Sequence, residues 1–200
     1  MDEKIGIAVI EDHPVMRSSL EAYFKGTGRW NVTGTASTLS EAKILLAAVP
    51  ADVVILDLQL EDGWGLDIIP WLVAQGSNRP VTAVYSNYDD YAHVSAALGM
   101  GVQAYVCKRR DEKELEKALF TALGGGIYVD NTAQVRLQTV QDLFSLLTKR
   151  ETEILCLVKS GLSNKQIAAH LNISARTVEN ILSCVYDKTG IKSRLELQKI

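Results

Sequence analysis

The 200 residues exceed the commonest single-domain size, so one large or two modest domains fit. At 47% hydrophobic and 22% charged, the chain can bury a proper core, which argues against disorder, and no apolar run reaches the roughly 20 residues that span a bilayer. The net charge of −3 is uneven: residues 1–147 carry 12 Lys and Arg against 19 Asp and Glu, a balance of −7, whereas residues 148–200 carry 9 against 5, a balance of +4. Such asymmetry points to separate partners, and a basic end suits phosphates. The opening Met1-Asp2-Glu3-Lys4 shows no signal-peptide pattern, and Cys107, Cys156 and Cys184 are too scattered for a disulfide framework or a zinc site. A reducing, cytoplasmic setting without a membrane partner is expected.

In chain order, Ile5–Ile10 is predicted as a buried strand and Pro14–Phe24 as a helix opened by Pro14. A strand at Trp30–Thr35 follows, then Ser40 before a helix Glu41–Ala48 striped by Ala42, Leu45 and Leu46. Asp52–Leu56 is a third strand, almost wholly apolar, as expected when both faces are covered. Next come a helix from Leu66 to Ala74, a strand Val81–Tyr85, a helix Tyr91–Leu98, a strand Gln103–Val106 and an amphipathic helix Glu112–Leu123. Strand–helix alternation with short connections predicts an α/β domain over residues 1–124, a five-stranded, doubly wound parallel sheet. Gly124-Gly125-Gly126 stops the last helix. Residues 125–146 read as a linker with helical character near Val140–Leu147, and residues 147–200 as an all-α module.

In an open parallel sheet, chemistry gathers outside the carboxyl ends of the strands, where strand order reverses. The first predicted strand ends in Glu11-Asp12, the third in Asp57, the fourth in Ser86, and the fifth just before Lys108. Three acids, a hydroxyl and an ammonium on different strands therefore converge on one rim. Clustered carboxylates are costly unless a cation sits among them, and oxygen-rich sites suit Mg²⁺. A carboxylate beside such an ion can attack a phosphoryl group and form an acyl phosphate. Lys108 would offset charge on the transferring oxygens, and Ser86 would supply a hydrogen bond. The alternative is a set of ordinary solvated acids at strand ends.

The segments IEDHP (Ile10–Pro14), LDLQLEDGWGLD (Leu56–Asp67), VYS (Val84–Ser86) and AYVCK (Ala104–Lys108) make residues 4–124 resemble a response-regulator receiver domain, a flavodoxin-like fold. The resemblance implies Asp57 as phosphoacceptor, with Glu11 and Asp12 as acids of an Mg²⁺ site completed by the backbone carbonyl of Gln59. It also implies that Ser86 and Lys108 contact the phosphoryl group, and that Tyr105 changes rotamer with Ser86 on phosphorylation. Two positions depart from the pattern: Glu61 stands where many receivers place proline, and Lys108 is followed by Arg109-Arg110.

From Thr148 onward three helix-start signatures follow one another. Thr148-Lys149-Arg150-Glu151 and Ser163-Asn164-Lys165-Gln166 are capping boxes, and Ser174 is a serine cap. Gly161 and Asn172 mark stops. The predicted helices are Lys149–Lys159, Asn164–Leu171, Ala175–Thr189 and a fourth, Ser193–Ile200; the short turn between the second and third suits a helix-turn-helix. Val178, Ile181, Leu182 and Val185 stripe the third helix at helical spacing, leaving Arg176, Thr177, Glu179, Asn180, Ser183, Cys184, Asp187 and Lys188 outward. Such polar side chains can meet base edges in the major groove: Asn180 could pair with adenine and Glu179 with cytosine. Thr177, Lys165 and Lys188 are better placed for phosphates.

The run Leu147–Leu197 resembles the LuxR-type helix-turn-helix of NarL/FixJ regulators. The resemblance implies Ala175–Thr189 as recognition helix and the last helix as a dimer contact on DNA. Glu179 stands in place of a common lysine and Ile181 in place of a common histidine, so an unusual target is expected. Together the halves imply a transcription regulator, not an enzyme. A sensor histidine kinase would phosphorylate Asp57, freeing a masked recognition helix and favouring a homodimer on a two-fold DNA site. Competing classes are a phosphatase of similar topology, disfavoured because Gln59 stands where a second acid is usual, a protein-docking adaptor, and a phosphorylation-independent regulator.

Overall fold

A computed structural model describes residues 4–199, which form two compact units, one of residues up to Asp89 with His93–Gln134, the other of Asp90–Ala92 with the residues from Val135 onward. Residues 1–3 and Ile200, the expected end of the last helix, lie outside the described residues.

The first unit runs β1 (Ile5–Ile10), α1 (Pro14–Gly26), β2 (Trp30–Ala36), α2 (Leu39–Ala48), β3 (Val53–Leu56), a small hairpin of β4 (Gln59–Leu60) and β5 (Gly63–Trp64), then α3 (Ile69–Val73). It continues with β6 (Val81–Ser86), α4 (Tyr91–Gly99), β7 (Ala104–Cys107), α5 (Glu112–Leu123) and β8 (Tyr128–Val129). The main sheet has the order β2-β1-β3-β6-β7-β8, with every pairing parallel. Strand order reverses between β1 and β3, so the carboxyl ends of those strands flank the natural crevice of the fold. β3, β6 and β7 are buried along almost their whole length, as strands covered by helices on both faces must be. One side of the sheet packs Ile7, Val9, Ile55 and Val106 against Leu20, Phe24, Leu115 and Leu119 of α1 and α5. Trp30 closes that core edge-on to Phe24 and donates its indole N–H to Glu116 at 2.8 Å.

Four expectations need correction. The sheet has six strands rather than five, because Tyr128–Val129 pairs with Ala104–Tyr105 of β7. Two residues are too short for any periodicity to reveal. Residues 125–146, expected as a linker, hold this strand and α6 (Asn131–Ser145), which starts nine residues before the expected helical stretch at Val140. The continuous helix expected over Leu66–Ala74 is instead a 3-10 turn, Gly65–Ile68, followed by α3. Pro70 causes this: it has no N–H to give the Leu66 carbonyl, which instead accepts from Ile69. Finally α2 is capped by Thr38 rather than Ser40, through a bond from Glu41 N to the threonine hydroxyl at 3.1 Å.

The second unit packs α7 (Lys149–Lys159), α8 (Asn164–Leu171), α9 (Ala175–Thr189) and α10 (Arg194–Lys199) around Ile154, Leu155, Val158, Ile167, Val178, Leu182 and Val185. Both predicted capping boxes are present, at Thr148 and Ser163, and Ser174 caps α9. Asn172 ends α8 with φ 54°, the left-handed stop its sequence position implies. Three residues separate α8 from α9, and the tight turn fixes one helix against the other.

Candidate functional site

The rim of the sheet is assembled by backbone registration. Asp57 N donates to the Ile10 carbonyl and Lys108 N to the Ser86 carbonyl, each at 2.9 Å, which brings the four strand ends level. Glu11 and Asp57 are buried, at 1% and 3% exposure, because they directly follow the apolar strands β1 and β3. Lys108 Nζ lies 2.7 Å from Glu11 Oε2 and 2.7 Å from Asp57 Oδ2, a buried cation shared by two buried carboxylates. Asp57 Oδ1 accepts from Leu58 N at 2.6 Å. Asp12, half-buried, completes the set: Glu11, Asp12, His13 and Asp57 each offer a ligand atom, all within 4.8 Å of one another. Asp12 Oδ1 is 2.7 Å from His13 Nδ1, an ion pair only when the imidazole is protonated. Arg17 draws the loop inward by donating to the Glu11 carbonyl (2.6 Å) and the Asp12 carbonyl (3.3 Å).

Electrostatics at this rim are poised. Burial is the largest influence on Glu11 and pushes its carboxyl above 4.5; Lys108 opposes this, while Asp57 adds to it. Ser86 Oγ, at the end of β6, is buried without a hydrogen-bond partner among the described residues, so this strand end carries a hydroxyl with unused bonding capacity. Tyr105 is wholly buried, and its hydroxyl donates to the Tyr88 carbonyl at 2.6 Å, which ties β7 to the loop after Ser86. Gln59 opens β4 with an exposed side chain that accepts from Tyr88 Oη at 3.1 Å. The structure thus brings Glu11, Asp12, Asp57, Ser86 and Lys108 to one rim, holds the Tyr105 ring inward, and places Gln59 two residues beyond the central carboxylate.

On the helical unit, Arg176, Thr177, Glu179, Asn180, Ser183 and Lys188 are all exposed on α9, and Lys165 is exposed in the first turn of α8. Thr177 Oγ1 is 2.8 Å from the Ser174 cap hydroxyl. Lys188 has a second attachment: its Nζ sits 2.7 Å from Glu151 Oε2, the oxygen that also accepts from Thr148 N at 2.7 Å. The Lys188 bond first, and then the Thr148 N–H, hold the Glu151 carboxyl down at about 2, against an ordinary 4.5. A depressed folded pKa means that this contribution is complete above 4.5 and is lost as pH falls through about 2. Glu151→Gln is therefore expected to flatten the acid limb of the melting curve of this unit across that window, followed by circular dichroism. An acid limb as steep as in the parent protein would contradict the assignment.

Two family descriptions match the chain: residues 7–120 match the response regulator receiver domain, and residues 145–200 the bacterial regulatory proteins of the luxR family. The DNA-binding transcriptional activator DevR/DosR of Mycobacterium tuberculosis is 30% identical over 199 residues, covering 96% of this chain and 91% of that protein. The chain belongs to the response-regulator family. The oxygen regulatory protein NreC of Staphylococcus aureus is 29% identical, covering 96% of this chain and 94% of that protein. In fold the response regulator is similar to RcsB of Salmonella enterica serovar Typhimurium, solved on promoter DNA with a phosphomimetic, at TM-score 0.70, 22% identity and coverage of 98% and 97%. It is a response regulator of the NarL/FixJ type, with a receiver domain and a LuxR-type DNA-binding domain.

Two further residues of this response regulator's site, Gly65 and Asp62, are marked in the sequence only by their spacing after Asp57. Gly65 lies against the central acid: a Cβ there would stand 1.9 Å from the Asp57 carbonyl oxygen, and Gly65 N donates to the Leu58 carbonyl at 2.7 Å. Asp62 accepts from Leu39 N (2.7 Å), Ser40 N (3.1 Å) and Ser40 Oγ (3.0 Å), anchoring the hairpin to the start of α2. Both stand inside the LDLQLEDGWGLD segment, where the spacing of Gly65 and Asp62 after Asp57 was the available signal. Asp130, buried at 0% exposure just before α6, was hidden inside the presumed linker.

Proposed function

We propose that Asp57 accepts a phosphoryl group from the phosphohistidine of a partner kinase, and that this event controls dimerisation and sequence-specific binding of DNA by the helical unit. The observation carrying the reading is the buried Lys108 ammonium, 2.7 Å from both Asp57 and Glu11, with the Ser86 hydroxyl, buried and without a hydrogen-bond partner among the described residues, at the end of the neighbouring strand. An Asp57 carboxylate oxygen would attack phosphorus, forming an O–P bond as the P–N bond breaks, with the imidazole keeping the electron pair and taking a proton from solvent. Lys108 would turn from Asp57 toward the new phosphoryl oxygens, and the free Ser86 hydroxyl would donate to one of them. Tyr105, tied to Tyr88, would follow the loop as Ser86 is drawn in.

The carboxylates of Glu11, Asp12 and Asp57, all within 4.8 Å, are a hard oxygen donor set that fits Mg²⁺, with the Gln59 carbonyl completing it. When bound, such an ion neutralises charge on the phosphoryl oxygens during transfer. Among the described residues no helix is long and apolar enough to cross a membrane, which is in keeping with a cytoplasmic regulator.

On the DNA side, Asn180, Glu179, Arg176 and Ser183 would face base edges, and Lys165 and Thr177 phosphates, with α10 as the dimer contact. An electrophoretic shift with salt titration, with and without a small-molecule phosphodonor, tests the reading and separates it from a protein-docking adaptor. Lys165→Ala is expected to weaken all sequences alike and to reduce the slope of log K against log salt by about 0.9. Asn180→Ala should change which sequences are selected. Salt-independent binding, or no binding to any genomic fragment, would overturn the proposal.

A further inference from the structure

Lys108 and the unusual Arg109-Arg110 pair follow β7, and the buried Asp130 follows the neighbouring parallel strand β8. Asp130 Oδ2 accepts from Cys107 N at 2.5 Å, one residue before Lys108. Its other oxygen, Oδ1, accepts from Thr132 N (2.7 Å) and Ala133 N (3.2 Å), the free N–H groups of the first turn of α6. Asp130 N itself donates to the Tyr105 carbonyl at 2.9 Å, and Gln134 N to the Asp130 carbonyl at 2.8 Å. One wholly buried carboxylate is therefore shared between the tip of β7 and the N-terminus of the helix that leads out of the receiver.

The arginines reinforce it from outside. Arg110 Nη2 donates to Thr132 Oγ1 at 2.8 Å, its Nε lies 3.9 Å from Asp130 Oδ1, and its carbonyl accepts from Tyr85 Oη at 3.0 Å. Arg109 pairs with Asp89 in the loop after Ser86. The loop that carries Lys108 is thus fastened on one side to the Ser86 loop and on the other to the start of α6. An ordinary N-cap needs only one oxygen and can sit at the surface; Asp130 is buried and uses its second oxygen on the sheet.

We propose that Asp130, braced by Arg110, is a positioning residue that latches β7 to α6 and carries the displacement of Lys108 on phosphorylation into the helix joining the receiver to the DNA-binding unit. The inference rests on the phosphorylation-controlled reading above. A shift of the β7 tip by a fraction of an ångström moves the Cys107 N–H, and the rigid carboxylate moves the first turn of α6 with it. α6 continues without a break to Ser145, and its residues from Val135 onward belong to the second unit.

Serine separates capping from latching: a serine at 130 keeps an N-cap oxygen for α6 but has none left for Cys107 N. The experiment compares the full-length parent and Asp130→Ser for phosphoryl uptake at Asp57 and for DNA affinity before and after uptake. Uptake is expected to stay near the parent rate, while the phosphorylation-dependent gain in affinity falls by about tenfold or to nothing. Should Asp130→Ser not fold, Arg110→Gln carries the same test, since that side chain is 39% exposed and leaves the core intact. A full gain in whichever variant folds would overturn the latch alone. No gain in the parent despite uptake at Asp57 would overturn the latch together with the reading it rests on.

Discussion

Replacing Lys108 with alanine is expected to destabilise the receiver by about 3–5 kcal/mol at neutral pH in the presence of a chelator. Glu11 and Asp57 have side chains only 2% and 4% exposed, and the ammonium between them, itself 5% exposed, is their shared counter-charge. Without it, two desolvated carboxylates face one another. Burial already holds the Glu11 carboxyl above 4.5, and loss of Lys108, the chief opposing influence, would raise it further. A raised folded pKa gives stability that is complete at low pH and disappears as pH rises through the folded value. The variant should therefore lose stability on going from acid to neutral pH more steeply than the parent, and Mg²⁺ should restore part of the loss. Denaturant unfolding across that range, with and without metal, reads the effect. A loss below about 1 kcal/mol, the worth of a solvated surface pair, would mean that the buried pairing is not what holds this rim together.

Gly65→Ala should be as damaging for a different reason. The added methyl would stand 1.9 Å from the Asp57 carbonyl oxygen and 3.1 Å from Leu58 Cα, both backbone atoms of the segment that presents Asp57, the proposed phosphoacceptor. Backbone cannot rotate away as a side chain can, so either the 3-10 turn or Asp57 must shift. Overpacking of this kind costs about 3 kcal/mol. The variant should unfold at markedly lower denaturant and take up phosphoryl groups slowly even where it remains folded. Parent-like stability together with parent-like uptake would show that the turn yields easily and that Gly65 does not position the site.

These two residues mark what the sequence could and could not reveal. The sheet and the DNA-binding helices were legible because their apolar residues recur at unambiguous periods: β1 and β3 are runs of Ile and Val, and α9 carries Val178, Leu182 and Val185 between flanking cap signals. That Glu11, Asp57, Ser86 and Lys108 share one rim was legible from position, since each lies at or directly after the end of a strand. What remained hidden depends on tertiary pairing or short length. β8 and the β4–β5 hairpin have two residues per strand, too few for a pattern. α6 carries Val135 at 57% exposure, so its apolar residues make no clean stripe, although Asp130 before Asn131-Thr132-Ala133 was a readable cap. The break before α3 was written in Pro70, and the start of α2 in Thr38 three residues before Glu41. That Lys108 would bridge two carboxylates, or that Ser86 would be left without a partner, is a matter of distances that no linear spacing encodes.

Asp57 decides whether the receiver works as a phosphorylation switch. Incubating the full chain with Mg²⁺ and a small-molecule phosphodonor, mapping the modified residue by mass spectrometry, and measuring DNA affinity on the same sample tests it most directly. One phosphoryl group per chain on Asp57, accompanied by tighter DNA binding that Asp57→Asn abolishes, is the result predicted. Modification elsewhere, no uptake with metal supplied, or an Asp57→Asn protein that responds to the donor like the parent would contradict it.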